Sequence, residues 1–285
     1  MAEPQGQPLV TVGVPVFNGA ALLEGALRSI VGQTYRNLEI VVSDNGSTDR
    51  TAEIIDAFAA RDNRIRRYRQ DPPISALMNF RFVLEHGTGE YFFWAPHDDW
   101  WDTRFVELGV AALNGNPEAA AVMGTVRYFD PSDREILRYD PPYPLSDRRA
   151  YTRIRSYLTS VVTDHVYYAL YRRNVLLDTI WTRSPNPDKV VIMHALCKGP
   201  IVDGWGMTYY NRYVPKSEED LVKVFSLPSY SRAIQARALV DVVKEIWRGS
   251  TWFDAVRLVP LYFFSQSWHK FFVKWMFESI GPGRR

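Results

Sequence analysis

A chain of 285 residues, 46% hydrophobic and 23% charged, has the composition of one large soluble domain or two closely joined ones. Its net charge of +2 gives a nucleic-acid partner no electrostatic support, and a single cysteine, Cys197, excludes an intrachain disulfide framework and suits a reducing compartment. No run of about 18 apolar residues marks a transmembrane helix. The opening "MAEPQGQPLV" lacks the basic and apolar regions of an export signal, so a cytoplasmic location is expected.

The first half alternates strands and helices. "LVTVGVPVF" (9–17) is an apolar, β-branched run that stops at Asn18-Gly19, the pattern of a buried strand. "GAALLEGALRSIVGQ" repeats apolar residues at helical spacing through Leu22, Leu23, Ala26, Leu27 and Ile30. "LEIVVSD" (38–44) is a second buried strand ending on an aspartate. A turn at Asn45-Gly46 follows, and Ser47, Thr48 or Asp49 caps the next helix. "RIRRYRQ" (64–70) reads as a strand whose charges place it at an edge, "SALMNFRFVLEHG" (75–87) as a helix closing at Gly87, and "EYFFWAPHDD" as a strand ended by Pro96. Such alternation predicts an α/β fold, a mostly parallel sheet flanked by helices.

The second half is less regular. "FVELGVAALNGNPEAAAVMGTVRYFD" continues helix then strand, and "DPPYPLSD" (140–147) is a loop between functional halves. Helices are expected near 149–163 and 187–199, with a strand-like "VYYALYRRNVL" between them, and "PIVDGWGMTYYNRYVPKSEED" returns to strand and loop. The expected division is 1–125, 126–215 and a helical, aromatic-rich extension over 216–285.

In parallel α/β sheets, ligands bind outside the carboxyl ends of the strands. Three ends here carry distinctive side chains: Pro15-Val16-Phe17-Asn18, Asp44-Asn45-Gly46-Ser47 and His97-Asp98-Asp99. The last is the most unusual. Adjacent aspartates in the aromatic run "FFWAPHDDWW" repel each other and lose hydration unless a cation or hydrogen bonds offset the cost. By itself this pattern says only that a ligand, such as a nucleotide, binds at that edge.

The stretch from Val10 through Thr51, with "DNGSTD" after its second strand, resembles the start of an inverting family 2 glycosyltransferase of the GT-A fold. "GEYFFWAPHDDWW" is similar to that family's metal-binding DxD region. The likeness is strong over 9–125, weaker to about 215 and absent afterwards. It implies that Pro15, Phe17 and Asn18 line a nucleotide pocket, with Phe17 beside the base and Asn79 on the same side; a core aromatic at Phe17 and a helix-surface place for Asn79 are the alternatives. Asp44 would accept a hydrogen bond from a base N–H; the alternative is that it only caps the next helix. A divalent cation, manganese or magnesium, would bridge the donor diphosphate and Asp99, with Asp98 on the ribose or a metal-bound water. His97 departs from the family pattern, standing where DxD often has its first aspartate.

An inverting enzyme needs a second carboxylate to deprotonate the acceptor hydroxyl. In the family it starts a helix that ends near a glycine and precedes a strand and an arginine-bearing loop. "NPDKVVIMHALCKGPIVDGWGMTYYNRYVP" fits with Asp188, Gly199 and Arg212, although Asn186-Pro187-Asp188 is also an ordinary helix start. Asp164 and His165 are candidate acceptor or diphosphate contacts or plain loop residues. Arg212 would clamp phosphate, and Tyr213 follows it where the family often has histidine.

The resemblance implies a nucleoside diphosphate sugar donor, a UDP-sugar first, and a saccharide or lipid-linked acceptor. A catalytically silent sugar-nucleotide or glycan binder on the same fold is the alternative. A nucleotidyltransferase lacks support, because no Gly- and Lys/Arg-rich phosphate loop follows the first strand. Residues 251–277 place Leu261, Phe264, Trp268, Phe272 and Trp275 on one helical face. That face suits a membrane interface at the cytoplasmic side, or packing against the domain or a second subunit.

Overall fold

The computed structural model describes residues 6–160, 164–179 and 187–213. The strands are β1 (Val10–Val16), β2 (Leu38–Asp44), β3 (Ile65–Arg69), β4 (Tyr91–Trp94), β5 (Trp100–Trp101), β6 (Ala121–Phe129), β7 (Glu135–Tyr139), β8 (Leu170–Arg172) and β9 (Ile201–Arg212). The helices are α1 (Leu23–Val31), α2 (Thr51–Ala59), α3 (Ala76–His86), α4 (Phe105–Gly115), α5 (Ala150–Thr159), α6 (Arg173–Leu177) and α7 (Pro187–Lys198), with a 3-10 helix at Asp164–Tyr168. Among the described residues these strands form one sheet, in the order β3-β2-β1-β4-β8-β6-β9-β5, with β7 paired to β6.

β3, β2, β1 and β4 pair in parallel, the arrangement that strand–helix alternation demands. Every residue of β1 and β2 is buried, and their Val, Ile and Leu residues fit a strand covered on both faces, although β2 also buries Glu39, Ser43 and Asp44. The charged β3 is the edge, as expected. Beyond β4 the sheet mixes directions: β8 is antiparallel to β4 and β6, while β9 is parallel to β6. β6 spans residue 125, so the sheet runs without a break from the first expected segment into the second. The aromatic face over 251–277 and the 216–285 extension lie outside the described residues. No described helix is long and apolar enough to cross a membrane.

The strand expected over "VYYALYRRNVL" does not form at that length. Tyr167 lies flat on Trp94, with ring centroids 4.5 Å apart, which the 3-10 turn permits. β8 lasts three residues, and then the Arg173 guanidinium donates to the Leu84 carbonyl as the chain turns into α6. Local β-propensity yields to the packing of individual rings. The short strands β5 and β7 also went unpredicted.

At the edge of the sheet where β1 and β2 begin, Glu39 is buried beside Thr11, its register partner. Its Oε1 accepts from the Thr11 hydroxyl, the Thr88 hydroxyl and N–H, and the Gly89 N–H, and its Oε2 accepts from Arg66. Burial alone would raise its pKa, but the bonds from Thr11, Thr88 and Arg66 outweigh that and hold the carboxyl below the usual glutamate range. The stability so contributed is present above the unfolded pKa and is lost as pH falls through the folded one. Glu39→Gln leaves donors facing an amide N–H₂ and is expected to cost about 2 kcal/mol at pH 7. A urea midpoint equal to wild type would show that the cluster adds nothing.

Candidate active site

β1, β2 and β4 deliver their carboxyl ends to one edge, and hydrogen bonds tie those ends together. The Asn18 N–H donates to the Ser47 hydroxyl (2.9 Å), the Thr48 N–H to Asn18 Oδ1 (2.9 Å) and the Gly19 N–H to the Thr51 hydroxyl (2.9 Å). Asn18 has φ 48°, in the left-handed region that asparagine tolerates. A Cβ on Gly19 would lie 2.7 Å from the His97 ring, so only glycine lets the β1 and β4 ends approach this closely. Phe17 stands at the same edge with 51% of its surface exposed; it is not a core residue. Pro15 is buried within β1, opposite Ser43.

Asp44 braces the loop that leaves β2. Its Oδ1 accepts from the Ser47 N–H (2.9 Å), and its Oδ2 pairs with Arg69, whose second nitrogen reaches the Ser47 carbonyl (3.0 Å). Gly46, with φ 73°, supplies the turn. Capping at the start of α2 falls instead to Asp49, whose Oδ1 accepts from the Thr51 N–H. Asn79 is buried in α3, and both ends of its amide are occupied by Ser43. The Ser43 hydroxyl donates to Asn79 Oδ1 (2.6 Å), and Asn79 Nδ2 donates to the Ser43 carbonyl (3.1 Å). It ties α3 to β2 directly behind the Asp44 end.

The acidic pair follows β4. Asp99 is buried at 3% exposure, while Asp98 is half-buried. Three donors from the end of β9 fix the Asp99 carboxylate: the Tyr209 hydroxyl on Oδ2, and Asn211 Nδ2 (3.0 Å) and the Arg212 N–H (2.9 Å) on Oδ1. Burial, followed by the charge of Asp98, outweighs those bonds and pushes the Asp99 pKa up to about 7. Neither carboxylate has a Lys or Arg ion-pair partner among the described residues. A buried carboxylate with a like charge beside it and no cation among the described residues offers the kind of oxygen ligand a hard divalent ion takes. No set of three His, Cys, Asp or Glu side chains converges among the described residues, so such an ion would complete its shell with ligand oxygens and water.

An aromatic wall joins the acidic pair to Asp188. The Tyr209 ring lies 5.5 Å from Tyr168 and 5.7 Å from His165, whose Nδ1 is 2.7 Å from the Tyr128 hydroxyl. Asp188 is half-buried in the first turn of α7, which packs against the 3-10 helix. Burial, then the charges of Asp99, Asp188 and Asp98, hold the Tyr168 phenol well above its ordinary pKa. The Tyr168 phenol therefore feels the charge of both the acidic pair and Asp188. Asp164 opens the 3-10 helix. The Arg212 backbone serves Asp99, while its guanidinium stacks over Trp100 (5.2 Å) and bonds Asp133 (2.9 Å).

The family model for "Glycosyl transferase family 2" matches residues 11–179. The chain belongs to glycosyl transferase family 2. The match takes in β1 through α6, so it covers the three strand ends and the 3-10 helix, whereas α7 and β9 lie beyond it. Among relatives of this family 2 member, "Glycosyltransferase GlyG" of Streptococcus pneumoniae is 32% identical over 131 residues, 46% of this chain and 43% of that protein. "Glycosyltransferase GlyA" of the same organism is 40% identical over 99 residues, 34% of this chain and 14% of that one. The chain thus spans less than half the length of either relative.

Solved structures share the GT-A fold at low identity. The S. aureus TarS 1–349 structure aligns with TM-score 0.66 at 16% identity, covering 96% of this chain and 75% of that 1–349 chain. The mannosyltransferase PcManGT of Pyrobaculum calidifontis, solved with GDP-Man and Mn2+, aligns with TM-score 0.54 at 19% identity, covering 94% and 85%. The expected α/β architecture and family are both borne out.

Tyr209, Asn211 and Tyr168 went unnoticed in the sequence. Tyr209 and Asn211 were recoverable: in a strand, residues two apart share a face, and Tyr210 faces away to stack on Trp100 (5.4 Å). Nothing in the sequence distinguishes Tyr168 from its neighbours.

Proposed function

We propose that the protein is a metal-dependent, inverting glycosyltransferase. It moves a sugar from a nucleoside diphosphate donor to a hydroxyl of a saccharide or lipid-linked saccharide, at the cytoplasmic membrane face. The observation that carries this proposal is that the buried Asp99, with Asp98 beside it and no Lys or Arg partner among the described residues, and Asp188 on α7 both act on one tyrosine, Tyr168. Inversion requires a division of labour between two such sites: leaving group on one side of the sugar, base on the other.

Phe17 presents an exposed ring for base stacking at the β1 end, and Asn18 and Asp44 shape the pocket beside it. A base N–H would share Asp44 Oδ2 with Arg69. Asp98 and Asp99 would hold the cation, manganese or magnesium; when bound, it neutralises charge on the leaving diphosphate. Asp188 takes the proton from the acceptor hydroxyl. Arg212, already at the β9 end, is placed to meet phosphate if it exchanges Asp133 for the ligand. A UDP-sugar is our first choice of donor, the class present in one TarS structure, solved with UDP-GlcNAc.

Calorimetric titration with UDP, GDP and their sugars, with and without manganese, tests this. One nucleotide class should bind, and at least tenfold more tightly with the metal. A folded protein that binds none of them would leave the acidic pair without a ligand and would end this proposal.

A further inference from the structure

Tyr168 belongs to the aromatic wall beside the acidic pair and has no role in the proposed reaction. Tyr168 is half-buried, its ring 5.5 Å from Tyr209 and 5.8 Å from His165. Tyr209 is bonded to Asp99, so one ring separates Tyr168 from the acidic pair. On the other side the 3-10 helix packs against α7, whose first turn carries Asp188.

The neighbouring polar groups of this wall are matched. The Tyr209 hydroxyl donates to Asp99, Tyr128 meets His165, and the Tyr171 hydroxyl donates to the Val166 carbonyl. The Tyr168 hydroxyl has no hydrogen-bond partner among the described residues. Three carboxylates and burial keep that phenol protonated across the physiological range, so it remains a donor throughout. The hydroxyl is not one of the buried atoms without a partner, so water reaches it, and a ligand oxygen would take that water's place. A flat ring beside it suits the C–H face of a pyranose, and the nearby carboxylates disfavour an anionic group there.

We propose that Tyr168 is a specificity-determining residue: its hydroxyl donates a hydrogen bond to an oxygen of the sugar held between Asp98-Asp99 and Asp188. This rests on the glycosyltransferase assignment above. Phe17 and Asp44, at the β1 and β2 ends, take the nucleoside, so the contribution of Tyr168 is confined to the sugar.

The test compares wild type with Tyr168→Phe, which keeps the ring. Both are titrated, in manganese, with UDP and UDP-GlcNAc and with GDP and GDP-Man. Tyr168→Phe is expected to bind the bare nucleoside diphosphate as wild type does, and to bind the sugar nucleotide about tenfold more weakly. The unchanged nucleotide affinity also reports that the variant is folded. Equal sugar-nucleotide affinity in the two proteins overturns the proposal while leaving the assignment of function intact. Loss of both affinities overturns it too, since Tyr168 would then be structural. A wild type that binds no nucleotide of either class removes the function and, with it, this inference.

Discussion

Asp188→Asn is expected to lower sugar transfer by about a hundred- to ten-thousand-fold, with nucleotide affinity unchanged. The amide keeps the shape of the side chain and starts a helix as well as aspartate does, so α7 should keep its place. What is lost is the capacity to take a proton. In the proposed reading Asp188 serves the acceptor and the acidic pair the donor, on different elements, so the two functions should be separable by mutation. Initial rates of nucleoside diphosphate release with acceptor present, set beside calorimetric affinity for the same nucleotide, read both at once. Transfer within threefold of wild type would place the base elsewhere. A parallel loss of nucleotide binding would make Asp188 a scaffold residue.

The helix that carries Asp188 was legible because its start, Asn186-Pro187-Asp188, and its end, Lys198-Gly199, are both marked by residues that favour those positions. The same holds for β2, whose boundaries 38–44 follow from an apolar run ended by an aspartate. The acidic pair was legible for a different reason: no core tolerates two adjacent carboxylates without a compensating partner. Other features depended on contacts made across the chain. Asn79 and Ser43 are 36 residues apart, and their mutual bonds make Asn79 a tether between α3 and β2, a role that neither the nucleotide side nor the helix surface suggested by the sequence foretold. Tyr209 lies 110 residues from Asp99. Its neighbour Tyr210 has the same composition and the opposite direction, so only the strand register decides which tyrosine reaches the carboxylate. Tyr167 and Tyr168 look like strand residues until Trp94 is there to be covered.

Asp99→Asn should separate stability from activity. With its pKa pushed up to about 7, the Asp99 carboxyl binds a proton more tightly in the folded protein than in the unfolded chain. For such a group the fold loses stability as pH rises from the ordinary aspartate range through about 7, because ionisation then opposes burial. Three pKa units correspond to a penalty on the order of 4 kcal/mol once the group is fully ionised. Metal-free wild type should therefore melt at a lower temperature at pH 8 than at pH 5.5, and Asp99→Asn should remove that difference and melt higher than wild type at pH 8. The amide oxygen can still accept from Asn211 and the Arg212 N–H, and the Tyr209 hydroxyl can reverse to accept from the new N–H₂. Manganese with nucleotide should raise the wild-type melting temperature at pH 8 and leave Asp99→Asn unmoved, with transfer lost. A bound cation, held in part by the nucleotide's phosphates, would thus supply the positive charge that no described Lys or Arg brings to this buried carboxylate. An Asp99→Asn protein less stable than wild type at pH 8 would mean that the bonds from β9 outweigh the cost of burying the charge, and the site would need no cation to be stable.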